Sequence, residues 1–61
     1  MKLIDTETNV LVADIITNHS MCIDEVLELM RIAVDDEGQL FDEDNATLLD
    51  AWYENLEIIY E

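Results

Sequence analysis

The chain has 61 residues, sixteen of them aspartate or glutamate against two basic residues, Lys2 and Arg31, for a formal net charge of −14; yet 51% of it is hydrophobic. A chain this acidic with few apolar residues would stay disordered, whereas this apolar content supports one small domain, residues 1–61, with a thin core. The same charge excludes nucleic acid, anionic membrane surfaces and phosphate-rich molecules as direct ligands, since each is repelled at physiological salt.

At the N-terminus, Met1-Lys2-Leu3-Ile4-Asp5 reaches an aspartate after two apolar residues, too soon for a signal-peptide core. No apolar run approaches the roughly 20 residues of a membrane span, so a cytoplasmic location is expected. Residues 2–17 are predicted to form a β-hairpin: residues 10–17 are rich in β-branched side chains, and Asn9 tolerates the left-handed conformation that a short hairpin loop needs. Asn18 or Ser20 then caps a helix over residues 23–33, with Ile23, Val26, Leu27, Met30 and Val34 at helical spacing and Asp24 and Glu25 at the positive end of its dipole.

Residues 35–39 read as a turn, Leu40-Phe41 returns to the core, and Asp42-Glu43-Asp44-Asn45 caps a second helix over residues 46–60. On that helix Leu48, Leu49, Trp52, Tyr53, Leu56, Ile59 and Tyr60 share an arc of roughly 140°, making the three aromatics core or dimer contacts. The expected fold class is α+β, an N-terminal β-hairpin followed by two amphipathic helices packed on it, with a mostly α chain as the alternative.

The second helix also carries the sharpest candidate site. Asp50, Glu54, Glu57 and Glu61 recur at i, i+4, i+7 and i+11, a carboxylate stripe about 16 Å long that no lysine interrupts. Like charges at this spacing cost a few tenths of a kcal/mol each, and Glu57 and Glu61 oppose the helix dipole. A solubility surface is one explanation. The other is mimicry of nucleic acid, because carboxylates about 5–6 Å apart approximate phosphate spacing and engage lysine and arginine set out for phosphates. Ala51 and Ile58, beside the stripe, offer a small apolar anchor for a partner or pack against the hairpin. Further acidic clusters stand at Asp35, Asp36, Glu37 and at Asp42, Glu43, Asp44.

Other motifs carry less. With Gly38 aligned to the glycine of a calcium loop, Ala33 takes the first ligand position and Asp44 the last, so a turn and helix cap is the better reading and no metal site is assigned. Cys22 is the chain's one cysteine, which excludes an intramolecular disulfide, and there is no Cys/His cluster for structural zinc. His19, Ser20 and Cys22 are adjacent in sequence, which does not make them a catalytic constellation. No catalytic residue and no cofactor is expected, and the chain is read as not an enzyme.

Residues 15–25, Ile-Ile-Thr-Asn-His-Ser-Met-Cys-Ile-Asp-Glu, preceded by a hairpin with an Asp-Thr-x-Thr turn, resemble small acidic proteins encoded by phages and prophages of Gram-positive bacteria. The resemblance implies no activity and no functional residues. It implies a host-cell cytoplasm as the setting, one in which short acidic inhibitors of host proteins, DNA mimics among them, occur. The expected function is a non-enzymatic acidic binding protein that occupies the basic, nucleic-acid-binding surface of a host protein. The alternative is a phage-type structural or assembly protein, self-associating as a homodimer, whose charge serves solubility. Adaptation to high salt is a third explanation of the charge, disfavoured by the many large aliphatic residues.

Overall fold

The computed structural model describes residues 1–16 and 20–60. Seven regular segments follow in order: β1 (Lys2–Asp5), β2 (Leu11–Asp14), α1 (Ile23–Leu29), β3 (Ile32–Val34), β4 (Gln39–Asp42), β5 (Thr47–Trp52) and β6 (Leu56–Ile59), with a 3-10 turn at Tyr53–Asn55 between the last two. They make two three-stranded sheets, one ordered β2-β1-β6 and the other β3-β4-β5, with every pairing antiparallel.

The expected hairpin with two helices packed on it is therefore incorrect, and so is the mostly α alternative. Residues 46–60 contribute two strands to different sheets, and the helix expected over 23–33 ends at Leu29. The physical reason lies in the segment that misled. Thr47, Trp52, Tyr53, Ile58, Ile59 and Tyr60 favour strands. Asp50 with Glu54 and Glu57 with Glu61 would be repelling i, i+4 pairs on a helix. Strand alternation separates these conflicts: Leu56 and Ile58 pack against the core while Glu57 between them is exposed.

Each reversal of direction has a local cause. The β1–β2 turn closes with Asn9 at φ 62°, and the Asn9 N–H donates to the Asp5 carbonyl at 2.8 Å. Cys22 caps α1, where the Glu25 carboxylate accepts the Cys22 N–H at 3.2 Å; the cap is therefore not the expected Ser20, and Asn18, the other candidate, lies outside the described residues. Arg31, at φ 58°, stops α1 in a left-handed conformation and turns the chain into β3. Gly38, at φ 82°, closes the β3–β4 turn.

The core is small and drawn from all three parts. Leu3 and Ala13 come from the first sheet, Leu40 and Ala51 from the second, Val26 and Leu27 from α1. Several residues of the expected apolar arc, whose aromatics were read as core or dimer contacts, lie outside this core and are exposed: Leu48 at 55%, Tyr60 at 57%, Tyr53 at 39% and Ile59 at 36%.

Candidate functional site

Among the described carboxylates only Asp5 is buried and Asp42 is half-buried; all the others are exposed. Asp5 ends β1 with its side chain in the core. Its Oδ1 accepts the backbone N–H of Glu7 at 2.8 Å and of Thr8 at 2.9 Å; its Oδ2 accepts the N–H of Trp52 at 2.7 Å and the Asn55 amide at 3.4 Å. A carboxylate offers about four acceptor sites, so these donors saturate it. Burial pushes the Asp5 carboxyl up, but the hydrogen bonds from Thr8, Trp52, Glu7 and Asn55 together outweigh it and hold the group below the usual carboxylate range. A saturated, ionised carboxylate has no capacity left to take a proton from a substrate.

Asp5 instead joins the sheets. The N–H of Trp52 belongs to β5 and the acceptor to β1. One neighbour repeats the link, the Thr8 hydroxyl donating to the Asp50 carbonyl at 2.7 Å; the Thr6 hydroxyl and N–H both donate to the Asn55 carbonyl, at 3.1 and 2.9 Å, and extend the β1–β6 pairing into the 3-10 turn. The β1–β2 turn thus lies along β5 and satisfies groups an edge strand would leave open. The role of Asp5 escaped sequence reasoning, although Asp-Thr-x-Thr, with its side chains suited to bonding nearby backbone, was the signal.

The carboxylates expected to form one stripe are dispersed. Asp50 is on β5, Glu54 in the 3-10 turn and Glu57 on β6, while Glu61 lies outside the described residues. Among the described residues, Asp50, Glu54 and Glu57 form no helical ladder with phosphate-like spacing. Ala51, the candidate anchor beside it, is buried, and Ile58 packs on the core.

The two turn clusters remain acidic, though not every member faces a partner. Asp35 Oδ1 accepts the N–H groups of Glu37 at 2.8 Å and Gln39 at 2.9 Å, so Asp35 builds the β3–β4 turn. Asp42 builds the β4–β5 turn, not a helix cap. Its Oδ2 accepts the Asn45 side-chain amide at 2.7 Å, and its Oδ1 accepts the N–H groups of Asp44 at 3.1 Å and Asn45 at 3.4 Å. The Asn45 amide, aided by the backbone donors of Asn45 and Asp44, holds the Asp42 carboxyl below the usual range against the upward push of burial. Asp44 pairs with Arg31 Nε at 3.0 Å on the surface. Asp36, Glu37 and Glu43 are left exposed, with Asp36 and Glu37 at one end of the β3-β4-β5 sheet and Glu43 at the other.

A feature the sequence reading missed lies between those ends. Along β4, Leu40 is fully buried, so Gln39 and Phe41 on either side point to the opposite face. Phe41 pairs with Ala33 on β3 and Leu48 on β5, and Gln39 pairs with Trp52. Phe41, expected in the core, and Trp52, expected as a core or dimer contact, therefore share the face turned away from the core. Between the Phe41–Leu48 and Gln39–Trp52 pairs β5 bulges, and the Gln39 side-chain amide donates to the Leu49 carbonyl at 2.8 Å.

Among the described residues no group of three or more His, Cys, Asp or Glu side chains is placed to hold a metal ion, and no helix is long and apolar enough to cross a membrane. Cys22 is a free, exposed thiol, and His19 lies outside the described residues. Comparison of the chain with protein-family models, curated proteins and solved structures gives no match.

Proposed function

We propose that this chain is a non-enzymatic acidic binding protein that occupies a basic, nucleic-acid-binding surface on another protein, a host protein if the chain is phage-encoded. The observation that carries the reading is the distribution of the described carboxylates, one buried and saturated and nearly all the others in water, with a net charge of −14 on a body 31 × 23 × 16 Å. Charge at this density opposes compaction and steers a cationic partner toward the protein, fast at low salt and more weakly as salt rises. The reading rests on total charge and on the two acidic turns, not on a helical ladder of carboxylates.

Affinity capture from host lysate at low salt tests it. The comparison is the native chain against a variant carrying Asp36→Asn, Glu37→Gln, Glu43→Gln, Asp50→Asn and Glu54→Gln, all exposed and none donating or accepting a turn hydrogen bond through its side chain. The native chain is expected to retain DNA- or RNA-binding proteins that duplex DNA elutes and that the variant fails to hold. Equal retention by both chains, or retention that duplex DNA does not disturb, would sink the proposal.

A further inference from the structure

We infer that the outer face of the β3-β4-β5 sheet, centred on Phe41, Leu48 and Trp52, is the docking face for a protein surface that is apolar at its centre and carries lysine or arginine on both sides. The inference rests on the proposed binding function and names the chemistry of its partner. It starts from register. Ala33, Phe41 and Leu48 form one cross-strand row with no carboxylate, and Gln39 with Trp52 belongs to the next, where Asp35 stands opposite Gln39 and exposed Asp50 lies in the β5 bulge between the two rows. Leu48 is 55% exposed, and neither Phe41 nor Trp52 belongs to the hydrophobic cluster packed on the core.

The ends of the same sheet supply the charge. A three-stranded meander puts its two turns at opposite ends, here Asp36 and Glu37 in one and Glu43 in the other. The four residues of β4 separate them by about 10 Å. An apolar centre between two acidic ends matches the anatomy of protein interfaces, in which desolvated aromatic anchors carry the energy and charges at the rim set encounter and orientation. Charge complementarity selects the occupant: a second copy would bring the same acidic turns against these, whereas a surface flanked by lysine or arginine pairs with both.

Trp52 is the only tryptophan, so its fluorescence reports this face. The intact chain is titrated at low salt with two probes of equal charge: an oligolysine, and an amphipathic lysine/leucine peptide with one apolar face. The amphipathic peptide is expected to bind about tenfold more tightly and to shift Trp52 emission to the blue. Leu48→Thr and Phe41→Thr, each with unchanged far-UV circular dichroism, are expected to abolish that preference, while Leu11→Thr on the other sheet keeps it. Equal affinity for the two probes, or a preference that survives Leu48→Thr and Phe41→Thr, overturns the inference and leaves the charge-based function standing. Binding of neither probe overturns both. A dimer in sedimentation that Leu48→Thr dissociates also overturns it, in favour of a second copy.

Discussion

Asp5 Oδ2 accepts the Trp52 backbone N–H at 2.7 Å, a bond between residues 47 positions apart that ties the last residue of β1 to the last residue of β5. The two sheets share no strand, and this contact with its Thr8 neighbour joins them beside the common core. Asp5→Asn preserves shape but places an amide where Oδ1 or Oδ2 accepts, turning at least one bond into a donor–donor conflict. The thermal midpoint is expected to fall steeply in Asp5→Asn and to stay essentially unmoved in Asp36→Asn, measured by circular dichroism under identical salt. Similar midpoints for the two variants would remove Asp5 from its linking role.

The same site predicts the acid limb of stability. The folded Asp5 carboxyl lies below the ordinary value of 3.8, and Asp42 shifts the same way. The unfolded chain therefore binds these protons first, and the stabilisation is complete above pH 3.8 and lost as pH falls through the folded values. Tyr53 shifts oppositely: its hydroxyl donates to Asp24 Oδ1 at 2.7 Å, and that bond, then burial and the Asp24 and Cys22 charges, raise it above 10.0. Its contribution is complete below pH 10 and lost as pH rises through the folded value. Carboxyl-carbon NMR should place the Asp5 midpoint below 3.8; a midpoint at or above it contradicts the saturated geometry.

Leu40 is fully buried where β4 meets α1 and the first sheet. Leu40→Ala removes about 2–5 kcal/mol. A domain of this length holds roughly 3–9 kcal/mol in all. Urea titration of Leu40→Ala should therefore show a large loss of the folded baseline, while Leu48→Ala, at an exposed position, should retain the native transition.

Ala46 adopts φ 50° in the β4–β5 turn, a left-handed conformation that costs a residue with a Cβ roughly 1–2 kcal/mol. Glycine removes that cost and gives back about 0.4–1 kcal/mol through greater freedom of the unfolded chain. Ala46→Gly is expected to raise stability by about 0.5–1 kcal/mol, read as a higher urea midpoint at unchanged slope. A lower midpoint would show that the turn relaxes around alanine.

What the sequence disclosed follows from how local each signal is. The β1–β2 turn with its left-handed Asn9 and the start of α1 at Ile23 are set by neighbours within a few residues, and pattern reading reaches them. Residues 46–60 satisfied a helical arc and a strand alternation at once, because eight large apolar side chains in fifteen positions fit either period. The deciding evidence was energetic. Repelling carboxylates at helical spacing, treated as a functional stripe, marked a segment that does not favour a helix. The acidic turns at 35–37 and 42–44 were visible as composition; their placement at opposite ends of one apolar sheet face depends on pairing between β3, β4 and β5, which no single segment encodes.

The central claim, that this chain occupies a nucleic-acid-binding surface, is tested most directly by displacement. A DNA-binding protein captured at low salt is loaded with a fluorescent duplex, and anisotropy is followed as the chain is added. The account predicts stoichiometric release of the duplex, weakening as salt rises and absent with the variant neutralised at Asp36, Glu37, Glu43, Asp50 and Glu54. A stable ternary complex, with the duplex still bound at saturating chain, would contradict it.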